Sequence, residues 1–233
     1  MLRLFLAFSL VILVVPADRA DADDVDQAWQ QLVRQSQAAR QAREKAAREH
    51  VQQARITLGT WYCVGPFRMA AHGIITESFA TEFPPEKQAL TAGREPIELS
   101  RTWETKKFPG MRDTTRRWVE HPEWIDGYRH QLPIGPPPSR NETVYLYRTI
   151  TAERACSVLA EVLAESYTRV WLNGRPIAEH RIASRGSIVR HWHVTLDLLP
   201  GENRLLIKNT SEYSAHTLAF SIPHLTPSFA KYE

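Results

Sequence analysis

Tyr145-Leu146-Tyr147-Arg148-Thr149-Ile150, Val170-Trp171-Leu172-Asn173-Gly174 and Leu198-Leu199-Pro200-Gly201-Glu202-Asn203-Arg204-Leu205-Leu206-Ile207-Lys208 decide the fold. Asn-Gly between two β-prone runs predicts a hairpin tip at Asn173-Gly174, because both central residues of a type I′ turn take positive φ. Pro200-Gly201-Glu202-Asn203 predicts a second tight turn, between Val194-Thr195-Leu196-Asp197-Leu198 and the run from Arg204 to Lys208. Arg190, Trp192, Val194, Leu196 and Leu198 share one parity, and His191, His193, Thr195 and Asp197 the other, as in a strand with one buried face. Cys156, Val158, Ala160, Val162 and Ala164 alternate with Ser157, Leu159, Glu161, Leu163 and Glu165; both faces are partly apolar, so this strand is read as central. A strand near His216–Ile222 closes the sheet. The expected class is mainly β, an antiparallel sandwich.

Upstream of this region the pattern changes. From Asp24 to about Arg55 the chain is rich in Ala, Gln, Arg and Glu and contains neither Gly nor Pro, which predicts one long helix. Val25, Trp29, Leu32 and Val33 form a short apolar stripe, continued only by Ala39, Ala42, Ala46 and Val51. Such a helix docks its first turns on the sandwich or pairs with a partner. A solvated stalk is preferred, because the stripe holds so few large apolar residues. Met1 to Ala22 reads as an export signal, with Arg3, an apolar run from Leu4 to Val15, and cleavage after Ala22 or Ala17. The apolar run is shorter than the roughly 20 residues of a membrane span. Residues 1–22, 23–57 and 58–233 are therefore read as leader, stalk or docking helix, and sandwich, with the mature protein secreted or periplasmic.

Composition excludes several classes. A formal net charge of +3, from 29 Lys+Arg against 26 Asp+Glu with no basic block, does not suggest nucleic acid. Cys63 and Cys156 enter an oxidising compartment, which permits a disulfide; the alternative is that each fills a strand position as a small apolar residue. Neither belongs to a C-x-x-C pair, so redox and zinc-finger chemistry have no footing. No G-x-S-x-G elbow marks an acyl-transfer nucleophile. Glu161 and Glu165 share a strand face, which solvation explains. His191-x-His193 projects two imidazoles from one face, but a third ligand at predictable spacing is missing, so no metal is expected.

Trp61-Tyr62-Cys63-Val64-Gly65-Pro66-Phe67 opens the β region, with Pro66 terminating or edging the strand, and Phe83-Pro84-Pro85-Glu86-Lys87 follows at the end of a loop. The order W-x-x-x-G-P-F, F-P-P-E-K, Y-x-x-R, W-L-N-G and G-E-N-x-L-L-x-K resembles sandwich modules of secreted bacterial multidomain proteins. It also resembles the galactose-binding-like jelly roll, including the sugar-binding domain of family 2 glycoside hydrolases, over roughly residues 60–222. The resemblance implies a jelly-roll β-sandwich and a carbohydrate ligand. In those hydrolases the sandwich is accessory and the carboxylates sit in a separate barrel, for which this chain has no room, so no enzyme is expected. One departure weakens the sugar assignment. Related domains carry an aspartate just before the W-L-N-G strand, where this chain has Glu165-Ser166-Tyr167-Thr168. Such modules often hold a structural calcium through loop oxygens. No matching ligand positions are recognised here, and calcium stays open; no other cofactor is expected.

Sugar recognition needs flat apolar platforms and planar polar partners. Trp118, Trp124 and Tyr128, in the irregular stretch 104–140, are the candidate platforms, with Trp192 behind them. Arg181, Arg185, Arg190, His191 and Asn173 are the candidate polar partners. Trp61, Trp103 and Trp171 are assigned to packing. The expected function is a non-catalytic binding module for polysaccharide or glycoconjugate, using loops at one end of the sandwich. The alternative is an adaptor domain that binds another envelope or extracellular protein.

Overall fold

The computed structural model describes residues 22–69, 74–105, 114–133, 141–165, 167–181, 189–211 and 217–226. The helices are α1 (Ala22–Ala54), α2 (Ile75–Ala80) and α3 (Pro84–Ala92). The strands are β1 (Thr57–Leu58), β2 (Trp61–Phe67), β3 (Thr102–Glu104), β4 (Thr115–Arg117), β5 (Val119–His121), β6 (His130–Gln131) and β7 (Glu142–Ala152). They continue with β8 (Cys156–Glu165), β9 (Tyr167–Leu172), β10 (Arg175–His180), β11 (Val189–Leu198), β12 (Gly201–Ser211) and β13 (Thr217–Ser221). The expected leader lies outside the described residues. Among the described residues, no helix is long and apolar enough to cross a membrane.

Two antiparallel sheets form the sandwich that the turns predict. The larger runs β10-β9-β12-β7-β2-β5, with β1 beside β7; the smaller runs β11-β8-β13-β6, and β3 pairs only with β4. Asn173 and Gly174 take φ of 53° and 75°, the conformation a type I′ tip requires, and link β9 to β10. β12 pairs with β7 along its whole length, from Gly201 opposite Ala152 to Ser211 opposite Glu142. β8 lies between β11 and β13, as its two-sided apolar pattern suggests. β2 runs one residue past Pro66, and β5 pairs only with Trp61–Cys63, so Pro66 stands on the edge part of the strand, beside β7 alone. The β2 register slips between Val64 and Phe67, where proline has no N–H to donate.

Alternation along a strand sends successive side chains to opposite faces, and in the larger sheet both faces are covered. Val144, Leu146, Ile150, Leu205 and Ile207 face the smaller sheet and meet Val158, Val162, Leu196 and Phe220. Tyr145, Tyr147, Trp171 and Leu206 point the other way, into a second apolar cluster with Phe67, Phe83, Ala89, Trp103 and Trp118. Phe83-Pro84-Pro85-Glu86-Lys87 is thus not a loop end: α3 begins at Pro84, has Glu86 in its first turn and stops at Gly93, which takes φ 58°. Proline at the first helical position loses no intrahelical hydrogen bond, and an early acidic residue suits the helix dipole.

α1 contributes residues to both compact units of the chain. In the unit that ends at Ala47, the strong part of the stripe is bare, with Trp29 66% and Leu32 55% exposed. In the unit from Arg48 onward, the thin end of the stripe is covered: Val51 and Ala54 join the inter-sheet core, and the Glu153 N–H donates to the Ala54 carbonyl at 2.9 Å.

The second cluster encloses charge. Lys208 Nζ lies 2.8 Å from Glu86 Oε2 and donates to the Thr81 carbonyl at 2.6 Å, and the Tyr145 hydroxyl donates to the same carboxylate at 2.6 Å. Burial, then the Glu86 carboxylate, hold the Tyr145 phenol well above its ordinary value of 10.0. Burial also pushes Tyr147 up to about 12. Both shifts are upward, so their contribution to stability is complete below pH 10 and is lost as pH rises through the folded values. Burial depresses Lys208 from 10.5, so its contribution rises with pH and is complete above that value. Between roughly pH 10.5 and 12 Lys208 no longer contributes to the slope, and the raised phenols, with the buried thiols of Cys63 and Cys156 shifted the same way, all lose stability. Urea midpoints should fall across that window, and less steeply in a Tyr145→Phe, Tyr147→Phe double variant; parallel slopes would refute the assignment.

Candidate functional site

The loop between β5 and β6 is built around Arg148. Its guanidinium reaches Oδ1 and Oδ2 of Asp126 at 2.7 Å, donates to the Gly59 carbonyl, and lies 4.5 Å from the centre of the Trp61 ring. Trp61 Nε1 donates to Asp126 at 2.9 Å, and the Gly127 N–H donates to the Phe220 carbonyl at 2.8 Å. The loop is thereby tied to both sheets. Trp124 is half-buried in it and stacked with both His121 (centroids 4.0 Å) and His130 (5.1 Å). Tyr128, 44% exposed, is the aromatic in this loop that is open to solvent.

The residues expected to form one sugar site are dispersed. Trp118 is buried against Trp103 and Tyr147, so it packs rather than offering a platform. Trp192 is half-buried on the inter-sheet core and stacked by His180. Arg181 follows β10, at the far edge of the larger sheet from β5, where it pairs with Glu179 at 2.6 Å over the Phe79 ring. His191 stands on the outward face of β11. Arg185 and the side chain of Arg190 lie outside the described residues. Asn173 is part of the frame: its Nδ2 donates to Asn203 at 2.8 Å and its Oδ1 accepts from the Arg204 N–H at 2.9 Å. Trp61 and Trp171 are buried, as assigned.

Sequence reading missed a groove of ≈ 730 Å³ beside α3. Its lining includes Lys87, Gln88 and Thr91 of α3 and Glu95, Pro96, Arg101 and Trp103 from the chain that follows it. Trp103 does pack, at 8% exposure, yet it also contributes to this lining. This segment is held in place by the Glu86–Lys208 pair, and past Gly93 by Arg94, which donates to the Pro200 and Glu202 carbonyls at 2.9 and 3.2 Å. The helix periodicity of Pro84–Ala92, followed by Gly93, was the available signal. Cys63 and Cys156 are both buried and free, and burial raises both thiols. They fill strand positions in the inter-sheet core.

No family model and no curated protein sequence matches the chain. Among solved structures it is similar to a β-glucosidase from Kluyveromyces marxianus, at 15% identity and TM-score 0.31 over 37% of this chain and 11% of that one. It is also similar to a family 35 carbohydrate binding module from an environmental isolate, at 14% identity and TM-score 0.26 over 35% and 66%. A third is the epithelial adhesin 9 A domain from Candida glabrata in complex with Galβ1-4GlcNAc, at 9% identity and TM-score 0.34 over 72% and 86%. The chain spans only about a tenth of the β-glucosidase. Likeness at these levels brings neither ligand nor chemistry to this chain.

Proposed function

We propose that this protein is a secreted, non-catalytic binding module for a polysaccharide or glycoconjugate, taken in the groove beside α3. The observation that carries the reading is the groove itself. It is open, large enough for a short oligosaccharide, and lined mainly by apolar surface that includes Pro84, Ala92, Pro96 and an edge of the packed Trp103, with the side chains of Lys87, Gln88, Glu95 and Arg101 among the lining as polar partners. Sugars are held by that combination of apolar surface and planar hydrogen-bonding groups. The proposed site therefore differs from the aromatic loop expected from sequence, where Trp118 is packed and Trp124 is half-buried and stacked with His121 and His130.

Retention on a panel of insoluble polysaccharides and on a glycan array is the test. Binding should fall at least about tenfold in Lys87→Ala and Arg101→Ala, the loss of roughly 1.4 kcal/mol. Tyr128→Ala should leave it unchanged. Equal loss in Tyr128→Ala alone would move the site to the loop, and no retention at all would remove the sugar reading. Turnover of chromogenic glycosides that vanished with a cleft carboxylate would instead make the protein an enzyme. A second reading rests on the bare Trp29, Leu32 and Val33 of α1: an adaptor that binds another envelope or extracellular protein through this stripe. It predicts a co-purifying protein lost in Trp29→Ser, Leu32→Ser.

A further inference from the structure

Two imidazoles and a carboxylate that lie far apart in sequence meet on the outward face of the smaller sheet. β8 and β11 are antiparallel with Glu161 directly opposite His193 and Leu163 opposite His191. Alternation then places His191, His193 and Glu161 on the same face, away from the core side that holds Val162 and Val194. His191 Nε2 and His193 Nε2 each lie 3.7 Å from Glu161 Oε1, and donor atoms of all three fall within 4.8 Å of one another. The two rings are 5.0 Å apart and tilted by 47°. Glu161 is not the solvated surface acid expected from sequence: it is 7% exposed, while the imidazoles remain open to solvent.

We propose that Glu161, His191 and His193 bind one Zn²⁺ ion. Zinc bonds to imidazole nitrogen and carboxylate oxygen of about 2.0–2.2 Å in a tetrahedron put donors roughly 3.4 Å apart; the two 3.7 Å imidazole–carboxylate separations are close to this, and rotation of the two exposed imidazoles brings their nitrogens, now within 4.8 Å, to the same spacing. Two imidazoles with one carboxylate suit a borderline transition metal and not a hard calcium or magnesium ion, which takes oxygen donors. The carboxylate is also oriented. Ser221, on the opposite neighbouring strand β13, donates its hydroxyl to Glu161 Oε2 at 2.8 Å and leaves Oε1 toward the imidazoles. Hydrogen bonds of this kind fix the direction of a metal-binding carboxylate. Three protein donors leave a fourth position for water. The site lies on the other sheet from the groove, and its ion does not depend on a sugar being bound there.

Isothermal titration of the tag-free protein with ZnCl₂ should give one equivalent per chain. His193→Ala and Glu161→Gln should each weaken binding at least about tenfold, and His50→Ala, on exposed α1, should not. Far-UV circular dichroism checks that the variants fold; both imidazoles are exposed, and glutamine retains an acceptor for Ser221. Thermal unfolding provides a second readout, because an ion held by the folded state raises the midpoint in the parent and not in the variants. Absence of stoichiometric binding, or undiminished affinity in His193→Ala and Glu161→Gln, would overturn the proposal.

Discussion

Lys208→Met, with Glu86 left in place, is expected to lower the unfolding free energy by about 3–5 kcal/mol, because it strands a carboxylate in an apolar cluster. Lys208 and Glu86 have side-chain exposures of 0% and 1%, and the rings of Phe79, Phe83 and Tyr145 lie within 6 Å of the ammonium. The pair itself is not a large source of stability, since desolvation offsets most of its attraction. Removing both charges should therefore restore most of the loss. The variant to compare is Glu86→Leu, Lys208→Met combined with Tyr145→Phe, so that the Tyr145 hydroxyl is not left without its acceptor. Urea unfolding of the single and combined variants measures this coupling; a single-variant loss below about 1 kcal/mol would show that water reaches the site.

Arg148→Met should cost a similar amount, about 3–5 kcal/mol, for the same physical reason. Arg148 and Asp126 are 5% and 9% exposed at the side chain, and the guanidinium also satisfies the Gly59 carbonyl. The loss should also be local. Asp126 is what holds the loop that carries Trp124, so the near-ultraviolet circular dichroism of the His121–Trp124–His130 stack should weaken with it. Arg148→Lys should rescue little, because one ammonium cannot reproduce a fork that reaches both Asp126 oxygens and Gly59. Full stability in Arg148→Lys would mean that charge, not planar geometry, is what the site requires.

Local chemistry was legible from the residues. Asn173-Gly174 needed only its own backbone preference to predict a turn, and the parity of Arg190–Leu198 reported one buried face without knowledge of its partner. The long helix was equally plain, though which end of it is covered was not: Trp29 and Leu32 are bare while Val51 and Ala54 are packed. What alternation cannot report is a second cover. Tyr145 and Tyr147 alternate with the core-facing Val144, Leu146 and Ile150, and are buried because they join a second apolar cluster with Phe83 and Ala89 of the α3 region and Trp103 of β3. The same cover takes Trp118 out of solvent. Glu161 could not be joined to His191 and His193 because the register of β8 against β11 is a long-range fact, set by packing and by the link between the strands. The ordered motifs did identify a frame. Trp61, Glu86, Arg148, Asn173, Asn203 and Lys208, taken from those motifs, join strands, helix and loops to one another, whereas Pro84 and Lys87 of the same motifs line the groove.

Cys63 and Cys156 sit in different sheets and carry no covalent bond between them. Nothing in the sandwich is therefore closed by an oxidant: noncovalent packing and the strand ladders hold it. A fold that is complete with both thiols reduced needs no oxidising step to reach it.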